Sequence, residues 1–166
     1  MKILRTSLLS LLFSYIPLTY ADSDSAKSFF VHLSGAQEVP SVNTDTTGRA
    51  ILHIDQNRTT IRFDIDISKA EQILEIAGAH LHCAPAGANG PVVAFLAGQT
   101  SPGRGFDGKV GFYATLVDDS IIDPVCGETI SDLVDSMIEG NVYVNVHSAA
   151  NPAGEIRGQI QAKGKL

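Results

Sequence analysis

The chain has 166 residues, of which 44% are hydrophobic and 18% charged, with no Trp. That length suits one domain and excludes a large multidomain enzyme, while ordinary apolar content in patterned runs excludes an intrinsically disordered chain. A net charge of −6 excludes a basic nucleic-acid footprint, because an acidic surface repels phosphate; two cysteines cannot hold a disulfide-dense miniprotein, though they can form one bridge.

The amino end differs in kind from the rest. Lys2 and Arg5 precede an apolar run from Leu8 to Leu18, followed by Thr19-Tyr20-Ala21 and then the polar Asp22-Ser23-Asp24-Ser25. This is the layout of a secretory signal peptide over residues 1–21, cut after Ala21. Ser10, Ser14 and Pro17 interrupt the run, which is far shorter than the about 20 residues a membrane span requires. No span is expected after signal cleavage, and the mature chain is expected to be secreted, extracellular or periplasmic. Residues 22–27 read as a short polar linker, 28–162 as the folded domain and 163–166 as a C-terminal tail. Export also bears on Cys83 and Cys126. In an oxidising compartment they read as a disulfide, worth about 3–4 kcal/mol, ahead of a pair of thiolate metal ligands. Asn57-Arg58-Thr59 fits the N-glycosylation sequon and falls in an expected turn, so Asn57 is a candidate glycosylation site in a eukaryotic source.

From there the period is two almost everywhere. Ser28 to Ser34 reads as a strand. Arg49 to Asp55 places Ala50, Leu52 and Ile54 on one face, and Thr59 to Ser68 places Ile61, Phe63, Ile65 and Ile67 on one face against Arg62, Asp64 and Asp66. Alternation of that kind marks half-buried antiparallel strands, and Asp55–Arg58 supplies the hairpin turn between these two. Further strands are expected at Ala79–Cys83, Val92–Leu96, Lys109–Leu116, Asn141–His147 and Glu155–Gln161, with Gly and Pro between them. One segment breaks the pattern. Ile130, Leu133, Val134, Met137 and Ile138 fall at helical spacing. Thr129 and Asp132 can form a capping box and Gly140 a stop, which predicts a helix near 130–139. The sum is an all-β fold, an antiparallel Greek-key β-sandwich or barrel with one short helix.

Several blocks together resemble the CHRD domain. They are Leu33-Ser34-Gly35-Ala36-Gln37-Glu38-Val39-Pro40, then Gly48-Arg49-Ala50, then Ala79-His80-Leu81-His82-Cys83-Ala84-Pro85-Ala86-Gly87 and Gly90-Pro91-Val92-Val93. The last are Tyr143-Val144-Asn145-Val146-His147-Ser148 and Asn151-Pro152-Ala153-Gly154-Glu155-Ile156-Arg157-Gly158-Gln159. The blocks are collinear and cover about residues 29–161, so residues 28–162 are identified as a CHRD domain. Cys83 departs from the family's usual Gly after the second His, and Cys126 is its natural partner. The resemblance implies fold and export more than mechanism. The His-x-His strand alone is also similar to the copper-binding strand of Cu/Zn superoxide dismutases. The remainder of that enzyme's His and Asp set is not found, so dismutase activity is not implied.

Chemistry concentrates in the same blocks. His80 and His82 share one strand face, Tyr143, Asn145 and His147 share another, and Glu155, Arg157 and Gln159 a third. If those strands are neighbours, His80, His82 and His147 converge, with Asn145, Glu155 and Arg157 as second-layer candidates. Two readings stay open. The cluster is a Cu or Zn site with an open position, or it is a hydrogen-bonded polar network in which Arg157 pairs with Glu155 and Asn145 braces the Asn151–Gly154 turn. His32 and His53 are each alone on a strand and read as structural. No Gly-x-Ser-x-Gly elbow is present and the cysteines are spoken for, so no catalytic residue is assigned. The functional expectation is an exported, non-catalytic binding or structural module for an extracellular protein, a polysaccharide or an envelope surface. The alternative is a metal-binding domain, redox-related, built on the His cluster.

Overall fold

The computed structural model describes residues 27–162. The expected signal peptide, nearly all of the linker and the tail lie outside the described residues. Eight strands form one sheet: β1 (Ser28–Ser34), β2 (Thr47–Ile54), β3 (Ile61–Ile73), β4 (Ala79–Cys83), β5 (Val92–Ala97), β6 (Phe106–Leu116), β7 (Val142–Val146) and β8 (Ile156–Gln159). Among the described residues there is one α-helix, α1 (Ile130–Glu139), between β6 and β7. Every strand pair is antiparallel, in the order β5-β4-β7-β8-β1-β2-β3-β6. The two end strands, β5 and β6, approach each other, so the sheet curls into a nearly closed barrel. Around that closure β7-β4-β5-β6 follow the Greek-key order, three consecutive strands with the fourth returning beside the first.

The alternation read from the sequence is the alternation of burial. Ile61, Phe63, Ile65 and Ile67 of β3 are all within 2% of complete burial, and they meet Phe29, Val31 and Leu33 of β1 and Ala50, Leu52 and Ile54 of β2 in one core. On the outer face Arg49 pairs with Asp66 and Arg62 with Asp64, both in solvent. The β2–β3 turn is organised by Asp55, whose carboxylate accepts from the backbone N–H groups of Asn57, Thr59 and Thr60. Asn57 is exposed there.

One boundary moved substantially. Expected to end at Ser68, β3 runs on to Ile73 through two register shifts against β6. Lys69 and Gln72, both at positive φ, mark the irregularities. Each bulge inserts a residue and re-aims the chain, so that Ala70 and Ile73 return to the core although strict alternation has been lost.

Helix α1 forms as its ends dictate. Thr129 Oγ1 accepts from the Asp132 N–H, the Asp132 carboxylate accepts from the Thr129 N–H, and Gly140 closes the helix in the left-handed region at φ 85°. Ile130, Leu133, Val134 and Met137 face the core. Arg58 fastens the far side, donating to the Ser131 carbonyl and to Asp135 at 2.6 Å. A Cys83–Cys126 disulfide, Cα–Cα 5.8 Å, ties the end of β4 to the turn that leads into the helix.

Candidate functional site

The site is built on the outer face of β4, β7 and β8. Register sets two rows across these strands: His80 opposite Asn145 opposite Arg157, and His82 opposite Tyr143 opposite Gln159. His147 follows β7 on the same face as Asn145. Such a face would normally be wet. Here three loops cover it: the segment carrying Glu38, the segment from Ala84 to Pro91, and the turn from Ser148 to Gly154. Glu38 accepts from Asn145 Nδ2 at 2.8 Å, the Gly90 carbonyl bonds His82 and the Pro152 carbonyl bonds His147. As a result every residue of β7 is buried, on both faces.

His80, His82 and His147 are brought together. One ring nitrogen from each lies within 4.8 Å of the other two. His80 Nδ1 and His147 Nε2 are 3.1 Å apart. A carbonyl oxygen only accepts, so the bonds from His82 Nδ1 to Gly90 O (2.9 Å) and from His147 Nδ1 to Pro152 O (3.0 Å) place the proton on Nδ1 in both rings. Their Nε2 lone pairs are then left facing inward. His80 is likewise held from outside by the backbone of Ala77. His82 Nε2 is buried and has no hydrogen-bond partner.

Burial favours the neutral imidazoles. It pushes His80 down to about 4, with the neighbouring His147 and His82 adding to the effect. Burial also lowers His82 and His147, and their carbonyl bonds offset it only in part. All three rings are therefore neutral near pH 7, the form that ligates metals. In a tetrahedral site with metal–nitrogen bonds of about 2.0–2.1 Å, ligand nitrogens stand roughly 3.3–3.4 Å apart. The His80–His147 pair at 3.1 Å stands near that value, and the three nitrogens, within 4.8 Å of one another, would draw together around an ion to reach it. Aromatic rings flank the trio: Phe95 meets His80 edge-on at 5.0 Å, and Tyr143 stacks on His82 at 4.8 Å and 10°.

The three second-layer candidates are placed differently from the expectation. Arg157 does not pair with Glu155. It donates to the carbonyl of Pro85 and to the side-chain oxygens of Asn89 and Gln159, and its guanidinium lies 3.5 Å from the Tyr143 ring centre. Burial pushes the Glu155 carboxyl up, but hydrogen bonds from Thr44, Ser148, Asn151 and Thr46 outweigh it and hold the group below its usual range. Through Ser148 and Asn151, Glu155 braces the turn that presents the Pro152 carbonyl to His147. Asn145 bonds Glu38, and its own Oδ1 is buried without a partner. His32 and His53 lie on the far, outward face of β1 and β2, where His53 bonds Ser28 Oγ. Glu38 and Thr44 were not among the sequence candidates. Both sit in a non-periodic loop between β1 and β2, where no face assignment is possible.

A nearly closed antiparallel barrel with a loop-covered layer of His, Arg and Glu on one outer face defines the class of protein. The family model described as CHRD domain matches residues 29–160, and the chain belongs to that family. No curated protein and no solved structure matches it.

Proposed function

We propose that this CHRD-family domain is exported and binds one Cu or Zn ion through His80, His82 and His147. The observation that carries the reading is the buried Nε2 of His82. It is a lone pair aimed into a cluster of neutral imidazoles with nothing to accept from. A buried nitrogen left unpaired costs about 1–3 kcal/mol, and a cation at the meeting point of three lone pairs removes that cost. The backbone carbonyls of Gly90 and Pro152 fix tautomer and ring orientation, as outer partners of metal-bound His do. Bound copper would supply one-electron chemistry and bound zinc a Lewis acid. Phe95 and Tyr143 limit water on two sides of the cluster.

Export rests on the amino-terminal pattern of basic start, apolar run and small residue, and is supported by the disulfide. No helix among the described residues is long and apolar enough to cross a membrane. A second reading is a non-catalytic module for an extracellular protein, polysaccharide or envelope surface. It is favoured by the way the polar layer fastens three loops, making the histidines scaffold. Metal analysis of residues 22–166 after loading with Cu and Zn and exhaustive dialysis separates the two. One equivalent retained by the wild type and lost in His82→Ala supports the metal site. No retained metal overturns it and leaves the module reading.

A further inference from the structure

Arg157 is 1% exposed and forms no close ion pair among the described residues; the carboxylate whose field reaches it is that of Glu38. Its neighbours are neutral oxygens and the Tyr143 ring. Three of its five N–H donors are used in these bonds, leaving two. When Glu38 is protonated the buried cation is balanced only by neutral dipoles, which is costly, and an anion beside it restores the balance.

Arg157 is also the charged wall of a cleft of about 240 Å³. Glu38 and Gln159 complete the polar side, and Ala36, Val39 and Ala86 form an apolar side. We propose that this cleft binds a small carboxylate, with the guanidinium taking the carboxylate and the apolar wall taking the carbon body. The two donors left over, Nε–H and one Nη1–H, can each make a charge-assisted hydrogen bond to a carboxylate oxygen. None of the three histidines lines this cleft, although Tyr143 stands between Arg157 and His82, and the proposal does not depend on the metal reading.

Glu38 decides when the cleft can fill. It faces Asn145 from β7, Arg157 from β8, and Glu155 with the Gly154 backbone from the turn before β8. Burial raises its carboxyl to about 7. Protonated, Glu38 leaves Arg157 without a counter-charge. Ionised, it competes with an incoming anion for the same guanidinium field. At pH 8 only about a tenth of the molecules hold Glu38 protonated, which weakens apparent affinity about tenfold relative to the protonated state.

The test uses the full chain and two carboxylates, glucuronate for an acidic sugar and N-acetylalanine for a peptide C-terminus, with glucose and N-acetylalaninamide as uncharged controls. Calorimetric titration at pH 6 should show saturable binding of at least one acid and of neither control, and the acid that binds identifies the source of the carboxylate. Affinity should fall about tenfold at pH 8 in the wild type and be restored by Glu38→Gln. That variant gains binding, so misfolding cannot imitate the result. Arg157→Gln should abolish binding at both pH values. Failure of both acids at pH 6, equal binding of the controls, or an unchanged affinity of Glu38→Gln at pH 8 would overturn the proposal.

Discussion

Burial acts in opposite directions on His80 and Glu38. His80 has its folded pKa lowered from 6.5 to about 4, so its contribution to stability is complete above 6.5 and is lost as pH falls toward 4. For this one nearly inaccessible ring the loss amounts to about 3 kcal/mol. His82 and His147 are lowered in the same sense. Glu38 is raised from 4.5 to about 7, so its contribution is complete below 4.5 and is lost as pH rises through 7. The metal-free protein should therefore be most stable near pH 6.5, with a steeper fall on the acid side, where three histidines act together. Urea unfolding at pH 5, 6.5 and 8 measures this. Glu38→Gln should gain about 1–3 kcal/mol at pH 8 and little at pH 5; an unchanged alkaline limb would count against a buried, proton-holding Glu38. The histidines were legible in the sequence because His-x-His and Tyr-x-Asn-x-His each fix a strand face. Glu38 was not, because its position depends on a loop folding over β7. The Arg157–Glu155 pair, plausible from two residues sharing a face, gives way to capture of each by a different loop.

At the level of elements, local chemistry fixed the ends that carry a cap. Thr129, Asp132 and Gly140 place α1 at Ile130–Glu139, within the expected range. Thr129→Ala should lower stability by about 1 kcal/mol, seen as a shifted urea midpoint at constant slope. The ends of β1 and β4 were equally legible. The carboxyl end of β3 was not, since a bulge erases the periodicity that a sequence reading follows, while backbone pairing with β6 continues through it. Its extension has a functional result. The carbonyl of Lys69 accepts from Thr46 Oγ1, and Thr46 is one of the residues whose hydrogen bonds hold Glu155 ionised.

On the scale of the molecule, alternation announced an all-β fold but could not order the strands. The joining of β8 to β1 and of β4 to β7 is long-range and leaves no local trace. Only the polar faces hinted at the β4-β7-β8 neighbourhood. The disulfide spans 43 positions and links the strand bearing His80 and His82 to the approach to α1. Replacing Cys126 with Ser should lower stability by about 3–4 kcal/mol, measured as the difference in unfolding free energy from the oxidised wild type. A loss well below 1 kcal/mol would show that the α1 approach docks without it.

The double burial of β7 has a consequence for how such a sequence can drift. An ordinary barrel strand keeps one face on which substitutions accumulate silently. In Val142–Val146 the odd and even positions answer to different layers: Val142, Val144 and Val146 to the apolar core, Tyr143 and Asn145 to the polar one. A one-residue slip would exchange the two sets wholesale and ruin both. The strand thus acts as the molecule's register mark, the line against which barrel and covering loops are both aligned.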